Sequence, residues 1–332
     1  MAPDSTESEA TKRFRERDLR YDDENEFDEQ FSSSPAVGLG EESGVSRRDP
    51  SSVVRVGSTY YVWYTKMEGS PEVGIDSATD ELPATSWDLA DIWYATSEDG
   101  HCWTERGKAV ERGGLGFDQR SVFTPDILVE SGRYHLFYQA IPDHRYQSTR
   151  NVVAMASADS PDGPWEKKSE PVLEAGKGPT EWDRRVLKNH DPGPLKLDDT
   201  YLLYYKGEGT PETKGQPSQW RRQWGVALAD DPEGPYEKSE LNPVTNSGHE
   251  THVWRHDGGV AALLTRDGPE KNTIQFAPDG LNFTPKANVQ SPPIAGGPYR
   301  PEFADGEDVE QMTWGLAHRA WKTWPHIVRF DC

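Results

Sequence analysis

The chain is poor in cysteine: Cys102 and Cys332 are the only two in 332 residues. A disulfide framework therefore does not hold this fold, and a reducing compartment fits. There is no run of about 18 apolar residues, which excludes a membrane-spanning helix. The opening MAPDSTESEATKRF has no apolar signal core, so a cytoplasmic location is the default expectation. Positive charge is also short, with 36 Lys and Arg against 57 Asp and Glu and a net charge of -21. Such a surface repels nucleic acid and anionic lipid, so neither is an expected partner. It also keeps a protein soluble in concentrated salt. CxxC pairs, a serine nucleophile elbow and a glycine-rich phosphate loop are all missing. No cofactor and no metal site are expected.

Aromatic residues, turns and repetition are plentiful. Hydrophobic residues make up only 33%, but 12 Trp, 13 Tyr and 10 Phe can supply the burial that aliphatics do not. With 30 Gly and 26 Pro, the composition predicts many short strands joined by many turns. Residues 1–45 differ in kind. STESEATKRFRERDLRYDDENEFDEQF is highly charged, lacks Gly and Pro, and opens on a capping-box pattern from Thr6 to Glu9. One or two short helices are predicted there. Phe14, Leu19, Phe27 and Phe31 are too sparse for a core of their own, so this arm must pack on the main domain or on another subunit.

From Asp49 onward one phrase returns: RDPSSVVRVGSTYYVWYT, FTPDILVESGRYHLFYQ, HDPGPLKLDDTYLLYYK and HETHVWRHDGGVAALLT. Each has a polar or acidic start, a strand, a Gly or Asp turn and a second strand. Each is followed by a strand, a Pro/Gly turn and a last strand, as in VVAMASADSPDGPWEKKS and WGVALADDPEGPYEKS. Four short strands per unit is the pattern of a propeller blade. A fifth, more degenerate unit is marked by Trp314, Trp321 and Trp324. The expected fold is all-β: a five-bladed β-propeller over residues 46–332, preceded by the helical arm. A β-sandwich also makes regular hairpins but would not repeat one acid-bearing phrase in each pair.

The innermost strands of a propeller bring the repeat starts together. Asp49, Asp126, Asp191 and the pair His249 and Glu250 are therefore expected around one pocket. Carboxylates in an aromatic setting suit glycosidic bond cleavage, where one group protonates the leaving oxygen and another activates water or attacks directly. Trp63, Trp87 and Trp103 offer flat faces for sugar rings, although most Trp in such a fold are core. The HETH step is not a zinc pair, because on a strand His249 and His252 point to opposite faces.

At these residues the sequence resembles glycoside hydrolase family 117, through GVSRRDPSSVV, YYVWYTK, SWDLADIWYATSEDG, RSVFTPDIL, KNHDPGP, NSGHE and DGPEKNTIQFAPDGLNF taken in order. The family's characterised members are exo-acting α-1,3-(3,6-anhydro-L-galactosidases) that trim neoagaro-oligosaccharides. The resemblance implies an inverting mechanism with Asp49 as general base, Asp191 tuning the acid, and His249, with Glu250 beside it, as the acid. It further implies Trp87, Thr124, Gln139 and His190 as sugar contacts; Arg48, Arg120 and Asp126, in the same motifs, are grouped with them. A homodimer through exchange of the arm is implied as well. On a regular strand His249 and Glu250 would face opposite ways, so both reach the pocket only if Gly248 makes the NSGHE step a turn. Two alternatives stay open for function: a related propeller glycosidase acting on arabinofuranosides or another algal or plant glycan, and a non-catalytic glycan-binding propeller. Glu250 as the acid is the alternative for the chemistry.

Overall fold

The computed structural model describes residues 7–16, 30–143, 151–176, 182–183, 191–208, 222–303, 312–319 and 322–332. Among them the strands form five antiparallel sheets in sequence order, and the fold is a five-bladed β-propeller. The chain divides into two compact units, residues 32–174 with 293–332, and residues 1–31 with 175–292.

In the larger unit, the first sheet runs Val45–Arg48, Thr59–Glu68, Asp91–Ser97 and Trp103–Val110, with Val54–Val56 also on the second strand. The second sheet runs Ser121–Glu130, Arg133–Ile141, Val152–Ala158 and Glu166–Lys167, with Leu173–Glu174 beside Val152–Ala158. The fifth is built from Gly297–Pro298, Trp314–Arg319 and His326–Asp331, and its outermost strand is Ser32–Pro35. The tract read from sequence as a helical arm thus also supplies a strand. Ser32 pairs with Asp331 and Pro35 with Val328. SSSP has no apolar alternation to announce it, and three of its four residues are exposed. Trp314 sits on a strand, whereas Trp324 lies in the bend before His326–Asp331; Trp321 lies outside the described residues.

Side chains from neighbouring sheets interleave. Val54, Trp63, Ile92, Val122, Leu136 and Tyr138 form one buried cluster, and Val53, Tyr64, Trp103, Leu316 and Ile327 another. Truncating the fully buried Trp63 would cost roughly 3–5 kcal/mol. Gly297 is where the first and fifth sheets approach most tightly. A Cβ there would lie 1.7 Å from the Ser51 carbonyl oxygen, and the neighbouring backbone bonds are Val53 N–H to Pro298 O at 2.9 Å and Arg300 N–H to Val53 O at 2.9 Å.

In the smaller unit, the third sheet comprises Pro192–Leu197, Thr200–Glu208, Arg222–Ala229 and Glu237–Lys238, and the fourth Glu250–His256, Gly259–Thr265, Thr273–Ala277 and Thr284–Asn288. Leu195, Tyr204, Trp224, Val253, Leu264 and Phe283 fill the space between them. The helix Glu9–Glu16 docks on this unit. Thr6 lies outside the described residues, and the cap is Ser8, whose Oγ accepts the Thr11 N–H at 3.2 Å and donates to the Pro243 carbonyl at 2.6 Å. Arg13 grips buried Glu270 through Nε at 2.9 Å and Nη2 at 3.1 Å, and donates to the Phe283 carbonyl at 2.8 Å. Leu19 and Phe27 lie outside the described residues.

Candidate active site

In the larger unit, the strand Val45–Arg48 ends where Asp49 takes a left-handed backbone, φ 49°, just before Pro50. Aspartate tolerates this region better than most residues, but it still needs support. The Asp49 carboxylate is buried and closely held. Arg48 donates from Nε to Oδ2 at 2.9 Å and from Nη2 to Oδ1 at 3.4 Å. Thr124 Oγ1 lies 3.4 Å from Oδ2, and His318 Nδ1 lies 3.1 Å from Oδ1. Burial opposes the charge, but Arg48 and His318 outweigh it and hold the carboxyl well below its ordinary range. Asp49 is therefore an anion kept ready in a dry place.

The second sheet repeats that backbone at Thr124, φ 47°, just before Pro125, with its N–H bonded to Thr65 Oγ1 at 2.7 Å. Thr124 and not Asp126 thus shares Asp49's conformation, because an irregularity between Phe123 and Asp126 shifts the register. Asp126 Oδ1 accepts the backbone N–H groups of Ser52 at 2.8 Å and Ile127 at 2.9 Å. Burial lifts the Asp126 carboxyl above its ordinary value despite Arg300.

Trp87 lies flat on Phe123, with centroids 4.6 Å apart and planes 20° from parallel. Its loop is fastened by Arg48 Nη1 to Ser86 Oγ at 2.7 Å and by Ser121 Oγ to the Trp87 carbonyl at 2.8 Å. Arg120 commits its guanidinium to the same loop, through Asp88 at 2.6 and 2.7 Å and the carbonyls of Thr79 and Leu82. Its place in the structure is a clamp under Trp87. Gln139 is buried on the strand opposite Phe123.

In the smaller unit, Asp191 precedes Pro192–Leu197 and contacts Lys206 Nζ closely through Oδ2. His190 lies outside the described residues. The turn at Gly248, φ 106°, comes before the strand starting at Glu250, so His249 is not yet in the strand's alternation. Both side chains consequently lie together, with His249 Nε2 3.5 Å from Glu250 Oε1. Nδ1 faces Asp267 Oδ2 at 3.0 Å and Arg222 Nη1 at 2.7 Å, and Arg222 also pairs closely with Asp267. Arg266 Nη1 stands 3.6 Å from Glu250 Oε1.

Burial pulls the His249 imidazole down to about 4; Glu250 and Asp267 oppose this, while Lys206 and Arg222 reinforce it. The Asp267 carboxyl is held well below its ordinary range by His249 and Arg222, against its own burial. Nδ1 thus stands between a guanidinium, which can only donate, and a carboxylate, which can only accept, so its two neighbours ask for opposite tautomers. Burial and two cations thus outweigh the two carboxylates.

His318, Asp267, Arg222 and Lys206 were not singled out from sequence. Lys206 closes the repeated opening phrase of the third sheet, whereas Arg222, Asp267 and His318 lie outside those phrases. Among the described residues no group of three or more His, Cys, Asp or Glu side chains is placed to hold a metal ion. The clusters supply a desolvated carboxylate that can take a proton, and a histidine–carboxylate pair that can exchange one.

These features define a glycoside hydrolase on a five-bladed propeller. The structure is similar to that of Zg3597, a family 117 glycoside hydrolase of the marine bacterium Zobellia galactanivorans, at 40% identity, over 93% of this chain and 91% of that one, with a TM-score of 0.81. The chain belongs to glycoside hydrolase family 117. Similarity to CoXyl43, a GH43 β-xylosidase/α-arabinofuranosidase from a compost microbial metagenome, is at 16% identity over 91% and 94% of the two chains, TM-score 0.60. Similarity to the GH43_1 enzyme of Xanthomonas citri is at 14% over 90% and 88%, TM-score 0.56. These two share the fold. No family model matches the chain, and no curated protein matches it.

Proposed function

We propose that this protein is an exo-acting, inverting glycosidase that releases 3,6-anhydro-L-galactose from the non-reducing end of neoagaro-oligosaccharides. Family membership supports the reaction class, and the observation that carries the chemistry is Asp49, a buried carboxylate kept ionised by Arg48 and His318. In this reading Asp49 takes the proton of the attacking water, and the His249–Glu250 pair delivers one to the leaving oxygen. Asp191, held by Lys206, tunes the acid, and Trp87 offers a sugar platform. The test is incubation of the purified protein with neoagarobiose, with xylobiose and arabinofuranosyl disaccharides as controls, following the anomer first released by NMR. Release of anhydrogalactose with inverted configuration supports the proposal. Turnover of an arabinofuranoside alone would assign the substrate elsewhere.

One observation favours a second reading of the acid. At about 4 the imidazole is neutral at neutral pH, and a neutral imidazole is a poor proton donor. Glu250 then donates the proton, with His249 Nε2 beside it at 3.5 Å.

A homodimer built by exchange of the arm is part of the proposal. In an exchanged dimer the Ser8 and Arg13 contacts would be made to a second copy. A chain shortened to begin at Ser32 keeps the Ser32–Pro35 strand but loses the helix. It should elute as a monomer, whereas an unchanged dimer rules out exchange.

A further inference from the structure

Asp49 is anchored by a residue from the far end of the sequence. His318 lies on the strand Trp314–Arg319, where its ring is fully buried. Its Nδ1 is 3.0 Å from the backbone N of Asp49 and 3.1 Å from Oδ1 of the same residue. Its other ring nitrogen, Nε2, is buried without a hydrogen-bond partner among the described residues. Both polar contacts of the ring are therefore spent on Asp49, and an apolar side chain would avoid the cost of the unsatisfied nitrogen.

We propose that His318 is a positioning residue that fixes the backbone of Asp49 and, through it, the place of the carboxylate. The inference rests on Asp49 being the general base. A non-glycine residue in the left-handed region before proline persists only where its surroundings hold it. The buried Asp49 N–H needs an acceptor, and Nδ1 is that acceptor, which puts the neutral ring's proton on Nε2. A second proton, on Nδ1, would turn the same atom into a donor toward Oδ1. That state would exchange the bond from the Asp49 N–H for one to the carboxylate. The charged and polar side chains facing the carboxylate are then Arg48 from its own strand, Thr124 from the second sheet and His318 from the fifth. Arg48 brings its charge to the carboxylate. His318 alone also reaches the main chain.

The experiment compares wild type, His318→Leu, His318→Asn and Asp49→Asn on neoagarobiose. His318→Leu should lower kcat about 10- to 100-fold while KM stays within about two-fold. The acid limb of its kcat/KM profile should rise toward the ordinary carboxylate value of about 4. His318→Asn places an amide oxygen near the Nδ1 position and should recover part of the loss. A His318→Leu enzyme with wild-type kcat and an unmoved acid limb overturns the proposal. If the leucine variant does not fold, His318→Asn carries the decision, because its acid limb must still lie above that of wild type. Retained activity in Asp49→Asn would instead defeat the base assignment. In that event an NMR titration of the Asp49 carboxyl in wild type and His318→Asn, which needs no substrate, still decides whether His318 holds that group. Equal titration in the two overturns the inference.

Discussion

The two acid clusters are built on opposite principles. Around Asp49 burial opposes the charge, but Arg48 and His318 outweigh it and hold the carboxyl well below its ordinary range. Around His249 the neighbours disagree: Glu250 and Asp267 favour a proton on the ring, whereas burial, Lys206 and Arg222 disfavour it. A group held by agreement is preset, while one held by opposition can be moved by a small change in charge. A base must be ionised before each turnover, but an acid has to be recharged after it. That contrast matches the roles proposed for them.

Breaking the preset side should give the largest effect. Asp49→Asn keeps the size of the side chain but cannot accept the water's proton, so kcat should fall on the order of 10²- to 10⁴-fold with folding intact. Retention of more than a tenth of wild-type kcat would remove Asp49 from the role.

The balanced side separates by leaving group. An activated substrate needs little acid help, so the true donor is the residue whose loss such a substrate rescues. If His249→Ala is rescued and Glu250→Gln is not, the histidine donates; the reverse assigns the proton to Glu250.

A smaller effect tests the opposition itself. Arg222→Gln removes a cation beside Nδ1 and should raise the His249 titration, while Asp267→Asn should lower it. The ring proton resonances of His249 across a pH series read both. Movement in the same direction would show that the neighbours do not compete.

Stability against pH gives the last and smallest contrast. Folded His249 binds its proton near 4 and the unfolded chain near 6.5, so the unfolded state takes it first. Stability from this group is whole above about 6.5 and declines as pH falls toward 4, by on the order of 1–3 kcal/mol. Asp49 and Asp267 have lowered values, so their contribution is whole above about 4 and is lost only below it. Urea denaturation at pH 7, 5.5 and 4 should show the first loss in wild type and a reduced one in His249→Gln. Identical slopes in the two would contradict the lowered imidazole.

The repeat made the blades legible, because four copies of one hydrophobic and turn pattern are hard to produce by chance. The openings of those repeats also led to Asp49, Asp191, His249 and Glu250. What the pattern could not carry was anything set by one irregular residue or by a distant strand. The bulge that puts Thr124 in Asp49's conformation leaves no mark in the phrase FTPDIL. His318 shares strand parity with Trp314 and Leu316, so a polar residue on a core face was the available signal. Arg120 was grouped with the sugar contacts on motif alone, and its four hydrogen bonds to the Trp87 loop depend on a turn no periodicity describes.

The strand Ser32–Pro35 closes the fifth sheet against His326–Asp331, and this bears on how the chain reaches its native state. Ser32 pairs with Asp331 across four intervening sheets of sequence, so this is among the most non-local contacts of the described residues. Until it forms, the strand His326–Asp331 has an open edge, the kind of surface on which chains associate wrongly. A brief four-residue strand with exposed serines is a weak template for such errors, yet it caps the sheet once both ends meet. The least local strand pairing among the described residues and the cover of a sheet edge thus fall on the same short segment.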